Sequence, residues 1–161
     1  MKSKTIALCL TIFILIFGLV ACGNLEENDE TAEENLFSFY DVLQQQRGLL
    51  DNFADEIYAY WYSAIYKGDF DDDIDLAITT VFEDNQRNIK KIQASDVQLK
   101  KLYKSAKKSR CEEEVKDAMK AYNDYYSFVM EVSGSFESFS KEMQGKKKAF
   151  ATAIKNLQME L

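Results

Sequence analysis

The stretch from Leu36 to Tyr66, LFSFYDVLQQQRGLLDNFADEIYAYWYSAIY, decides the fold. Its apolar residues recur at alternating steps of four and three: Leu36, Tyr40, Leu43, Arg47, Leu50, Ala54, Ile57, Trp61, Ala64, with Arg47 the polar exception. That spacing lays one face along a helix in a heptad seam. Phe39, Phe53, Tyr58 and Ile65 widen the seam, as a helix facing more than one neighbour requires. Thr31 and Glu34 stand in capping-box spacing and predict a start near Thr31. Lys67-Gly68 suits the other end, a cation near the terminal carbonyls followed by a residue free to turn left-handed.

Downstream, the acidic run Asp69-Phe70-Asp71-Asp72-Asp73 predicts a turn. A second helix follows through Ile74, Ile78, Val81, Asn85, Asn88 or Ile89, and Ile92, ending around Ala94-Ser95. Asp96 then caps a third helix carrying Leu99, Leu102, Tyr103 and Ala106. Its register slips by five residues before Cys111, Val115, Ala118, Tyr122, Tyr125, Val129 and Val132, which predicts a kink, bulge or break between Ala106 and Glu112. Ser133-Gly134-Ser135 closes that helix, and a fourth carries Phe136, Phe139, Met143, Lys146, Phe150, Ile154, Leu157 and Leu161. No stretch alternates polar and apolar as a sheet would. The expectation is an all-α domain over 31–161, an antiparallel up-and-down four-helix bundle with long helices. The absence of proline among the 161 residues agrees with long uninterrupted helices.

The N-terminus reads differently. Lys2 and Lys4 precede a 15-residue apolar run, Ile6 to Val20, too short for a stable membrane span and suited to an export signal. Directly behind it stands Leu19-Val20-Ala21-Cys22, which resembles the lipobox of bacterial lipoproteins. The resemblance implies cleavage of residues 1–21, a diacylglycerol on the Cys22 thiol, and a protein lipid-anchored at the extracytoplasmic face of the cell membrane. The Lys/Asn/Glu-rich composition and the Ser133-Gly134-Ser135-Phe136 turn are similar to those of small, uncharacterised helical lipoproteins of Gram-positive bacteria. The segment 22–30 is acidic, with Glu26, Glu27, Asp29 and Glu30, and reads as a tether whose charges repel one another and anionic lipid.

Charge and composition narrow the function. The chain carries 20 basic and 27 acidic residues, net −7. Loss of Lys2 and Lys4 with the signal leaves 18 against 27, so the mature chain would be more acidic still and a poor partner for nucleic acid. There is no histidine, which removes the commonest general base and metal ligand. With Cys22 acylated, Cys111 has no intramolecular partner and is expected to be buried as a small hydrophobe. No nucleophile elbow, metal-ligand spacing or phosphate-binding glycine loop occurs, so neither a catalytic residue, a metal nor a cofactor is expected.

Three features invite binding readings. The acids Asp69, Asp71, Asp72, Asp73 and Asp75, counted from Asp69 or from Asp71, lack the glycine sixth and glutamate twelfth of a calcium loop; they suit a helix start, with weak cation binding as the alternative. The cluster Tyr58, Tyr60, Trp61, Tyr62 and Tyr66 either packs as core or offers a ligand surface. Lys100, Lys104, Lys107 and Lys108 share a helical face in the third helix. They could contact an anionic cell-wall polymer or lipid, or be a solvated face balanced by acids elsewhere. The first reading is a non-enzymatic, lipid-anchored binding or adaptor protein of unknown ligand, with a protein or an anionic envelope polymer as partner. The alternative is an envelope structural protein acting through those four lysines.

Overall fold

A computed structural model of the chain describes residues 29–161; Cys22, the signal and the tether up to residue 28 lie outside the described residues. Every regular element among the described residues is helical. Helix α1 spans Asp29–Tyr66, 38 residues, about 57 Å at 1.5 Å per residue. It begins ahead of Thr31, which therefore sits inside the helix and does not cap it. It ends where the sequence predicts: Gly68 adopts φ 72°, a left-handed conformation that suits glycine. A 3₁₀ turn, Asp69–Asp72, follows, and Phe70, Asp71 and Asp72 all hold positive φ, at 61°, 53° and 61°. Three such residues in succession are costly in an L-chain and require support from packing. Phe70 supplies some of it by stacking on Tyr60, ring centroids 5.5 Å apart.

Helix α2, Ile74–Asp84, is capped as the acids suggest: the Asp73 carboxylate accepts the Leu76 N–H at 3.0 Å. It stops at Asn85, and α3 runs Gln86–Ala106 without interruption at Ala94-Ser95. The break is thus nine residues earlier than the spacing predicts, and Asp96 is not a cap. Asp96 is buried, accepting the Tyr122 hydroxyl at 3.0 Å and the Lys100 ammonium at 2.8 Å. A carboxylate already satisfied by two partners has no need of helix-end amides. Asn85 instead holds the junction: its amide donates to the Val81 carbonyl at 3.0 Å and to the Glu56 carboxylate on α1. The predicted break after Ala106 is real. A turn, 107–111, separates α3 from α4, Glu112–Met130. Helix α5, Phe136–Glu160, opens on a reciprocal capping box between Ser135 and Ser138.

Contacts run in opposite chain directions between α1 and the α2–α3 arm: Tyr60 with Asp84 at 2.8 Å, Gln46 with the Ile92 carbonyl at 2.7 Å, Asn35 with Ser105 at 3.3 Å. The same holds for α4 and α5, where Phe128 meets Phe139 at 4.8 Å, Tyr122 meets Phe150 at 5.8 Å, and Cys111 Sγ lies 3.6 Å from the Glu160 carbonyl. The seam of α1 is the core: Leu36, Leu43, Leu50, Ala54, Ile57, Trp61 and Ala64 are buried. Each large one contributes about 1.5–3 kcal/mol by leaving water. Tyr40 and Arg47 are the exceptions: Tyr40 is half-buried, and the Arg47 side chain is 43% exposed and 3.6 Å from Asp51. The polar group that enters the core is its neighbour Gln46.

Candidate functional site

Trp61 sits in the last turns of α1 and belongs to the core, at 4% exposure, as its place on the seam predicts. Its indole Nε1 is buried without a hydrogen-bond partner. A buried indole N–H ordinarily finds an acceptor, and one left unpaired carries a desolvation penalty of about 1–3 kcal/mol. Trp61 also forms part of the wall of an open cleft of about 720 Å³. Three segments converge on that cleft: the end of α1 with Ile65 and Tyr66, the start of α2 with Asp72 to Asp75, and the α4–α5 turn with Gly134 to Glu137. A second cleft of about 410 Å³ adjoins it and shares Trp61, Ile74, Asp75 and Gly134.

The floor is aromatic. Phe136 lies at the centre, 5.1 Å from Tyr58, 6.0 Å from Trp61, 6.2 Å from Tyr62 and 6.0 Å from Tyr66. Tyr62 and Tyr66 are themselves 4.7 Å apart. Tyr66 is 62% exposed, and Ile65 and Ile74 are also exposed. The sequence offers core or surface for this cluster; the structure divides it, with Trp61 inside, Tyr58 and Tyr60 half-buried, and Tyr62 and Tyr66 open to solvent. Tyr60 donates to Asp84, and that hydrogen bond is the main cause that raises its pKa above the usual phenol value. Every titratable residue lining the large cleft except Tyr66 is an acid: Asp72, Asp73, Asp75 and Glu137. No group of three or more acids or cysteines is arranged to hold a metal ion among the described residues.

The lysines picked out by the sequence lie toward the opposite end of the molecule. Helix α3 ends at Ala106, so Lys100 and Lys104 are on it, Lys107 is its C-cap and Lys108 is in the turn beyond. Lys100 is bound to Asp96 and lies 5.7 Å from the Tyr126 ring; Lys107 lies 5.7 Å from the Tyr103 ring. Lys116 pairs with Glu112 just across the turn, and Arg110 approaches Glu33 at 3.7 Å. The cations are therefore interleaved with acids. Cys111 is buried, as expected.

Two buried tyrosines were not singled out as paired groups. Tyr125 donates to Asp51 at 2.9 Å and Tyr122 to Asp96 at 3.0 Å. Burial, reinforced by the adjacent carboxylates, pushes both phenols far above their usual pKa. They tie helices together, Tyr125 to α1 and Tyr122 to α3. Residues this distant in sequence (Asp51 and Tyr125, Asp96 and Tyr122) leave no local signal of their pairing. No helix among the described residues is long and apolar enough to cross a membrane. Comparison with protein-family models, with curated proteins and with solved structures gives no match.

Proposed function

We propose that this chain is a lipid-anchored, non-enzymatic binding or adaptor protein at the extracytoplasmic face of the cell membrane. In this reading Cys22 carries the lipid, and the helices form an up-and-down antiparallel four-helix bundle in which α2 and α3 make one bent arm. The supporting observation is where the cleft lies on α1. The chain coming from Cys22 enters α1 at Asp29, and Trp61 stands 32 residues further along, about 50 Å away at 1.5 Å per residue. A cleft placed so far from the anchor would face partners outside the membrane. The basic-face alternative draws less support, because Lys100 and Lys107 are engaged within the molecule and acids surround the turn.

Mass spectrometry of the N-terminus from membranes of a lipoprotein-processing bacterium tests the anchor. The expected mature chain begins at an acylated Cys22, and Cys22→Ala leaves a full-length precursor. An unmodified Cys22 at a processed terminus would overturn the reading. Spin-label distances between α1 and each other helix, measured in the full chain, test the bundle.

A further inference from the structure

The distal cleft combines three properties that together specify a ligand. Its lining titratable groups are four acids and Tyr66, with no lysine or arginine among them. Its surface is apolar and aromatic between those acids, through Ile65, Tyr66, Ile74 and Phe136. Trp61, whose indole N–H is buried without a partner, is one of its lining residues. Carboxylates flanking an aromatic face favour an organic cation, whose charge is met by the acids while its stem or guanidinium plane covers the rings. The adjoining clefts, of about 720 and 410 Å³, share Trp61, Ile74, Asp75 and Gly134, and a compact amine would fill them only in part. An indole N–H asks for an acceptor oxygen, which a peptide carries in its backbone carbonyls and a simple amine does not.

We propose that this pair of clefts binds an extended basic peptide segment of a partner protein. A lysine or arginine side chain would be held by Asp72, Asp75 and Glu137 over Tyr66 and Phe136, an apolar neighbour would lie on Ile65 and Ile74, and a backbone carbonyl would accept the Trp61 N–H. The Trp61 nitrogen is buried, so this last contact requires a local displacement of the atoms around it. The inference deepens the binding or adaptor reading by naming its partner class. It is independent of the anchor, which the mass of the N-terminus reports separately.

The test uses the full-length chain purified in detergent and a fluorescein-labelled peptide alternating arginine and leucine, followed by anisotropy. Saturable binding is expected, with the fluorescence of Trp61, the only tryptophan, changing at the same midpoint. The triple variant Asp72→Asn, Asp75→Asn, Glu137→Gln should weaken binding at least tenfold with an unchanged melting temperature. Trp61→Phe, which keeps an aromatic ring but loses the N–H, should weaken it about threefold. A far-end control, Glu113→Gln with Asp117→Asn, should bind as the wild type does. Equal loss in that control would mean that attraction to the net negative chain explains the binding, and the proposal would fall. It would fall equally if the triple variant kept full affinity, if a glutamate–leucine peptide bound as well, or if spermidine or calcium at peptide-equivalent concentration displaced the probe.

Discussion

The two ends of the molecule close in opposite ways. At the end where α1 begins, the turn between α3 and α4 is tied down by polar contacts. The Arg110 N–H donates to Glu33 at 3.1 Å, its guanidinium donates to the Leu161 carbonyl at 2.9 Å, and the Cys111 N–H donates to the Ser109 hydroxyl at 3.3 Å. At the other end, aromatic rings and acids surround an open cleft, the loop 70–72 holds three left-handed residues, and the Trp61 N–H has no partner. Both ends use polar contacts, with Asp73 and Ser135 as caps at the cleft end, but there the buried Trp61 N–H has no partner. That contrast is what motivates the proposal of a partner at the distal end, since a buried donor left unpaired asks for an explanation.

Mutations can break or sharpen the comparison. The largest effect belongs to Trp61→Ala, which empties a core position at the wall of the cleft. It should cost about 3–5 kcal/mol in denaturant unfolding. Tyr66→Ala, in the same cleft but mostly exposed, should cost well under that. If the two cost the same, Trp61 is not the joint between core and cleft. The middle of the molecule supplies an alkaline reference. Tyr122 and Tyr125 keep their protons in the fold because their pKa values are raised, whereas in the unfolded chain they ionise near pH 10. Their contribution is complete below about pH 10 and is lost as pH rises above it. Each should remove about 1.4 kcal/mol of stability by pH 11, and replacing both by Phe should flatten that part of the profile.

Smaller effects separate the ends themselves. Gly134 holds φ 86°, and a Cβ there would lie 2.9 Å from Ser138 Oγ, which accepts the Ser135 N–H in the capping box. Gly134→Ala should therefore cost about 1–3 kcal/mol and disturb the turn that lines the cleft, visible as a shift in Trp61 fluorescence. At the closed end Arg110→Ala removes exposed contacts and should cost no more than about 1 kcal/mol, falling further with added salt. A larger loss from Arg110 than from Gly134 would reverse the contrast between the ends.

Some of this was legible from local spacing. The seam from Leu36 to Ala64, the break before Glu112 and the capping role of the acids around Asp73 all follow from patterns within a few turns of one helix, and the structure places them accordingly. The junction at Asn85 was misplaced because neither Ala94-Ser95 nor Asn85 breaks a helix by its own propensity. What sets the break at Asn85 is a contact with Glu56, 29 positions away. Gln46 was missed for a related reason: a side chain one step off the seam enters the core only because the Ile92 carbonyl is there to meet it.

By itself the sequence determined that the described chain is helical, which faces of its helices are apolar and where most of them end, because periodicity, capping and turn preference act between neighbours in the chain. It also carries the lipobox-like stretch ending at Cys22, a pattern read as letters. Only the tertiary structure decided that Asp96 is a buried acceptor, that the lysines near Ala106 sit among acids, and that residues near 61, 73 and 136 converge on one cleft. Those outcomes depend on which helix ends meet, and the energies that bring them together act across space between segments whose separation along the chain leaves no periodic trace.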